Sequence, residues 1–183
     1  MEKTIQDERL VRLAVQGDKA AFEALVLKYR ENAVRFAARF TANHFDAEDI
    51  VQECFAKLYV RLGQIKAGVS FKAYLYTIIR NQCTDFFRTR NQWSPLCEEE
   101  LSLISQRGLP EPALLSKEEK EQLQQAIAGL SPDYRAALYL FAVQQMCYQQ
   151  VAKVMHKTGP QVKITIYRAR KALKKSLAEG EFV

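Results

Sequence analysis

The chain has 183 residues, 48% of them hydrophobic and 26% charged, with only 7 Gly and 5 Pro. That length fits one or two compact units, and that balance suits a mostly helical globular protein with a real core. Net charge is +6 and unevenly placed: residues 1–92 carry 15 basic and 11 acidic groups, residues 93–120 carry 3 and 6, and residues 121–183 carry 9 and 4. Two positive bodies joined by an acidic strap point to a polyanionic partner. The cysteines (Cys54, Cys83, Cys97, Cys147) and the histidines (His44, His156) have no metal-ligand spacing. A structural zinc site is therefore not expected, and buried reduced thiols are. The N-terminus is charged from Glu2 onward, and the longest apolar run, Ala136 to Val143, is too short to cross a bilayer, so a cytoplasmic protein is expected.

Taken in order, Asp7 to Gln16 predicts a short helix with Leu10, Val11, Leu13 and Ala14 inward, closed by Gly17. Asp18 caps a second helix whose apolar residues, Phe22 to Phe40, keep an i, i+3/i+4 rhythm for five turns. After a break over Thr41 to Phe45, Asp46 is expected to cap a third helix reaching about Leu62. Gln64 to Ser70 reads as a loop. A fourth helix, Phe71 to about Arg90, is expected to bury Phe71, Leu75, Ile78, Ile79, Cys83, Phe86 and Phe87. Four amphipathic helices with matching stripes make one bundle.

Residues 92–115 lose the rhythm and read as a linker, with Pro95, Pro110 and Pro112, Gly108 and a run of three Glu at 98–100. Those 24 residues would average about 27 Å end to end as flexible coil, and about 80 Å fully stretched. Ser116-x-x-Glu119 is a capping box opening a helix that ends at Gly129, and Ser131-Pro132 starts the next, with Ala137, Leu138, Phe141 and Ala142 inward. Then come a short helix (Val151, Ala152, Val154 and Met155 apolar), a turn at His156-Lys157, a Thr158 cap, and a long basic helix with Pro160 in its first turn. The expected architecture is all-α: two small helical bundles, residues 1–91 and 116–183, joined by a flexible linker, the second a helix-turn-helix, with no further domain after it.

Three groups of residues carry chemistry. Between Lys153 and Lys175 there are eight Lys or Arg and no acid. A basic helix entered through a sharp turn suits the major groove, with its N-terminal side chains on base edges and its flank on phosphates. Gln161, Lys163, Ile164, Thr165 and Arg168 are the candidates to face the groove. Arg170, Lys171, Lys174 and Lys175 are candidates for phosphate contact. On the fourth helix Tyr76, Thr77, Arg80, Asn81, Thr84 and Arg88 are read as one exposed face, fit for single-stranded or opened nucleic acid: a ring to stack, guanidinium groups for phosphates, an amide for a base. The third helix opens on DAEDIVQECF, with Asp46, Glu48, Asp49, Gln52 and Glu53 on the side away from the apolar stripe. Outward acids without a histidine at ligand spacing suit docking to a basic partner better than metal binding, although acids near a helix N-terminus also favour the dipole. No Gly-rich phosphate loop and no nucleophile–base set appears, so neither an enzyme nor a cofactor is expected.

Together these segments resemble bacterial RNA polymerase sigma factors of the extracytoplasmic-function (ECF) group, over residues 7–92 and 116–177. DAEDIVQECF resembles the helix that grips the polymerase largest subunit, SFKAYLYTIIRNQCTDFFRTR the promoter-melting and −10 segment, and YQQVAKVMHKTGPQVKITIYRARKAL the −35 helix-turn-helix. The resemblance implies polymerase contact at Asp49, Gln52 and Glu53 within the Asp46, Glu48 cluster. It implies −10 contact through the Lys66–Ser70 loop and Asn81, beside Tyr76, Arg80, Thr84 and Arg88. It implies −35 contact at Gln161, Lys163, Ile164, Thr165, Tyr167 and Arg168, with Lys171 on the backbone. The implied partners are core RNA polymerase, promoter DNA and an anti-sigma factor. The sequence departs from the family pattern at Tyr74 (usually Trp), Gln150 (usually Glu), His156 and Lys157 (usually Gly and an apolar residue), and Pro160-Gln161 (usually Gly-Thr). From the residues alone, a stand-alone helix-turn-helix regulator with a sensing or dimerising first bundle is the alternative.

Overall fold

The computed structural model describes residues 2–41, 43–64, 70–90 and 117–180. The first lobe holds α1 (Glu2–Val15), α2 (Lys19–Ala37), α3 (His44–Arg61) with a 3-10 turn at Leu62–Gln64, and α4 (Phe71–Arg90). The second holds α5 (Lys117–Ala128), α6 (Pro132–Leu138) running into a π turn at Tyr139–Val143, α7 (Tyr148–Met155) and α8 (Gly159–Gly180). No strand occurs among the described residues. The linker expected at 92–115 and most of the loop expected at 64–70 lie outside the described residues.

Local chemistry sets the helix ends. Gly17, at φ +96°, lets the chain turn back so that Asp18 N–H bonds to Leu13 O at 3.1 Å. Asp18 Oδ1 then accepts from Ala21 N, opening α2. The third helix departs from expectation. Asn43, not Asp46, is its N-cap: Asn43 Oδ1 accepts from Asp46 N at 2.7 Å, and Asn43 Nδ2 donates to Asp46 Oδ2. The extended backbone of Asn43 permits this reciprocal pairing, so His44 and Phe45 join the helix. Ser131 caps α6 through Tyr134 N, as expected.

The buried residues form one cluster, from Ala14 in α1 through Phe36, Leu58 and Ile79 to Leu140, Val151 and Ile166. The expected stripes line it, with Ile78 and Phe86 half-buried at its edge and the Phe87 side chain outside the described residues, and two further positions depart from expectation. Ala142, expected inward, is exposed, and Phe141 is only half-buried. Tyr139 and Leu140, which open the π turn, lie in the core, and the wider turn, closed by Gln144 N on Tyr139 O, rotates the positions after them so that Ala142 faces outward. Cys147 is also exposed, whereas Cys54 and Cys83 are buried.

The two lobes pack together, with α4 lying along α7. Tyr139, 3% exposed, stacks on Phe36 and donates its hydroxyl to Asn32 O at 2.9 Å. Arg39 Cζ sits 3.8 Å from the centre of the Tyr139 ring. Buried Arg135 donates to Ala128 O at the end of α5 (3.0 Å) and to Arg39 O just past the end of α2 (3.1 Å). One guanidinium thus satisfies the carbonyl-rich ends of helices from both lobes, where a cation is favoured.

Candidate nucleic-acid and protein interfaces

The helix-turn-helix is built from α7 and α8. Gln150 Oε1 accepts from Cys147 N at 3.1 Å, so the amide does for α7 what a glutamate would do. The turn between them passes through His156 in the left-handed region (φ 51°, ψ 42°), where Lys157 N–H reaches back to Ala152 O at 3.0 Å. Thr158 and Gln161 then make a reciprocal cap: Gln161 N donates to Thr158 Oγ1 and Thr158 N to Gln161 Oε1. Val162, Ile166 and Ala169 anchor α8 in the core.

With α8 fixed by that stripe, Gln161, Lys163, Ile164, Tyr167, Arg168 and Lys171 are all exposed, Tyr167 at 68%. Thr165 is not: it is 9% exposed and its hydroxyl donates to Gln161 O. The expected groove-facing set is therefore brought together except for Thr165, whose spacing from Val162 and Ala169 already places it near the buried stripe. Two rings that were given no part in this face from the sequence support the cations. Phe141 and Tyr148 stack at 4.9 Å, with Lys163 Nζ 5.6 Å from the Tyr148 centre and Arg170 Cζ 5.3 Å from that of Phe141.

On α3 the acidic ridge faces solvent. Asp49, Gln52 and Glu53 are exposed, and Asp46 and Glu48 are half-buried nearer the helix start. Glu48 lies 3.5 Å from His44 and 3.9 Å from Arg30, while Glu53 pairs with Lys57 at 2.8 Å and accepts from Gln82. Phe45, 75% exposed one turn before Asp49, adds an apolar tip to the same ridge. It escaped notice because the sequence suggested a loop there.

The face expected on α4 is divided. Tyr76 is fully buried, edge-on to Phe36 with centroids 5.0 Å apart, and is not an exposed stacking ring. The reason is that α4 is covered on two sides, by α2 and α3 and by α7, so that its buried surface extends past the expected stripe of Leu75, Ile79 and Cys83 to take in Tyr76. Arg80 is largely covered, its side chain 15% exposed and paired with Asp133 at 3.0 Å. Asn81 Oδ1 lies 2.7 Å from His156 Nε2. Thr84 and Arg88 are exposed, Thr84 bonded to Arg80 O and Arg88 paired with Asp85. Ser70 caps α4, its Oγ accepting from Ala73 N. Lys66 lies outside the described residues.

Residues 25–93 match the family model Sigma-70 region 2, and residues 120–173 match Sigma-70, region 4. The RNA polymerase sigma-H factor of Pseudomonas aeruginosa is 33% identical, covering 94% of this chain and 94% of the relative. The ECF RNA polymerase sigma-E factor of Escherichia coli K12 is 26% identical over 94% of this chain and 95% of its own. Among solved structures, CnrH in complex with the cytosolic domain of CnrY has a TM-score of 0.69 at 22% identity, covering 95% of this chain and 98% of the other. The sigma factor RpoE of Bartonella quintana, in complex with the anti-sigma factor NepR, has a TM-score of 0.66 at 24% identity, over 86% and 96%.

Proposed function

Because this chain belongs to the sigma-70 family of RNA polymerase sigma factors, in its ECF group, we propose a division of labour among its surfaces. The chain is a sigma factor: it binds core RNA polymerase and directs initiation at particular promoters. Residues 1–91 are the docking and −10 domain, 92–115 the linker, and 116–183 the −35 domain. In α3, Asp49, Gln52 and Glu53, flanked by Asp46 and Glu48, dock the polymerase. In α8, Gln161, Lys163, Ile164, Tyr167 and Arg168 read −35 bases and Lys171 holds phosphate. In and before α4, Lys66, Ser70, Arg80, Asn81, Thr84 and Arg88 serve the −10 element. Tyr76 supports that face from within the core, and Thr165 bears on the −35 face only through its hold on the Gln161 backbone.

The single observation that carries this reading is the outward presentation, on one chain, of an acidic ridge on α3 and a basic helix on α8, each fixed by a buried stripe behind it. A polyanion-reading helix and an acidic protein-docking ridge are what a promoter adaptor needs. The role is one of binding, with no chemical step assigned to the chain. It operates in the cytoplasm, and no described helix is long and apolar enough to cross a membrane. An anti-sigma factor belongs to the reading as a partner that holds the chain inactive; the Bartonella quintana relative is solved with one.

The test is run-off transcription with purified core polymerase on genomic fragments. Added protein is expected to start transcripts at discrete promoters. If it never directs initiation, while binding a DNA operator tightly without polymerase, the stand-alone regulator replaces this reading.

A further inference from the structure

The side chain of Gln161, in the first turn of α8, does two jobs with one amide. A glutamine ordinarily meets adenine with both of its polar atoms, the carbonyl oxygen accepting from N6 and the amide nitrogen donating to N7. Here the carbonyl oxygen is already engaged: Thr158 N donates to Gln161 Oε1 at 2.8 Å, while Gln161 N donates to Thr158 Oγ1. The orientation of the amide follows from that partner, since only its oxygen can accept from a backbone N–H. Gln161 is exposed, and its Nε2 turns both hydrogens to the surroundings.

Its neighbours along the same line of the helix add no acceptor. Ile164, 50% exposed, and Arg168 follow at i+3 and i+7; the first offers only methyl groups and the second only donors. Thr165, at i+4, is buried and donates back to the Gln161 backbone carbonyl. Behind the line, buried Val162, Ile166 and Ala169 fix the rotation of α8. What faces the groove is therefore a row of donors around an apolar tip. In the major groove guanine shows two adjacent acceptors, O6 and N7, and no donor. Adenine sets an amino group beside its N7, and cytosine shows an amino group alone. Either would meet the Gln161 amide with donor against donor, a pairing that leaves polar groups unsatisfied.

We propose that Gln161 is a specificity-determining residue that reads a guanine of the −35 element through its amide hydrogens alone, its carbonyl being held by the cap of the same helix. The proposal rests on the assignment of α8 to the −35 element. The cap that starts α8 thereby also selects the base: it holds the side chain in one orientation before DNA arrives, so the contact orders no further rotor. Adenine could be read with both amide atoms only by giving up the bond to Thr158 N.

The test uses the full-length chain with core polymerase on promoter duplexes randomised at −35, scoring both the duplexes bound and the transcripts started. Wild type is expected to favour a G·C pair at one position. Gln161→Glu should lower that preference about five- to hundredfold and leave the other positions as they were. Its carboxylate still accepts from Thr158 N, so the cap and the helical circular dichroism are kept, but it sets an acceptor against O6 and N7. Gln161→Met, which keeps the length and removes both polar atoms, is expected to lose the same preference. An A·T pair at the position that responds would mean that the amide leaves its cap for adenine, and would overturn the proposal. A uniform loss of affinity in both variants, with every base preference intact, would place Gln161 on a phosphate and overturn it too. Selection of duplexes without any transcript would instead sink the sigma-factor reading and leave the guanine contact standing. A chain that selects no duplex overturns both.

Discussion

The ring of Tyr139 lies on that of Phe36, centroids 6.0 Å apart and planes 25° from parallel, although the two stand far apart in the chain. Phe36 also meets Phe40 and Tyr76 and is fully buried, so it joins three helices across both lobes. Phe36→Ala is expected to cost about 3–5 kcal/mol, because removing a large ring from a close-packed site leaves a cavity its neighbours cannot fill. Urea unfolding measures this; a loss below about 1 kcal/mol would mean the junction is loosely packed.

Burial pushes the Cys54 thiol up to about 12 and raises that of Cys83 as well, chiefly by disfavouring the thiolate. In the native protein at pH 8, Cys147 is expected to react with a thiol reagent, and Cys54 and Cys83 only after denaturant is added. Mass mapping of the labelled residues decides it.

The same shifts carry a pH dependence. An unfolded thiol titrates near pH 8.5, so between there and the folded value for Cys54 of about 12 the folded state holds the proton more tightly. That contribution is fully present below about pH 8.5. It is lost as pH rises towards the folded value, by at most about 1.4 kcal/mol per pH unit for each thiol. Cys54→Ala should flatten the decline in stability above pH 9, measured by denaturant midpoints across that range; an unchanged slope would remove Cys54 as its source.

For the groove-facing helix, Lys171→Ala should lower the log–log salt slope of −35 DNA binding by about 0.9, since one phosphate contact is lost. Arg168→Ala should relax base preference at one position, worth about 1–3 kcal/mol of discrimination. Filter binding or fluorescence anisotropy on a panel of single-base variants separates the two effects. Uniform loss with both substitutions would assign both side chains to the backbone.

Reversing charge on the exposed α3 ridge tests polymerase docking. Asp49→Arg and Glu53→Arg should each weaken core binding by about tenfold or more through like-charge contact with a basic partner. Neither side chain packs in the core, so the melting temperature should change little. Wild-type affinity with both reversed would move docking elsewhere.

The helices, and most of the residues on each exposed face, are legible in the amino-acid order alone. Local rules suffice for these: Asp18, Ser131 and Thr158 offer cap acceptors, Gly17 permits the turn, and i, i+3/i+4 apolar spacing names the stripes behind the acidic ridge and the basic helix. Where two residues could cap the same helix, as with Asn43 and Asp46, the sequence had no means of choosing, because the choice lies in backbone angles. The surroundings of α4, by contrast, emerge from long-range packing. A helix covered on one side exposes Tyr76, Arg80 and Asn81; a helix covered on two sides buries Tyr76, covers most of Arg80 against Asp133, and leaves Asn81 exposed beside His156. The number of neighbours is set by long-range packing between lobes that lie far apart in the chain, and a local period records one buried stripe well but not which second element comes to rest on the opposite face.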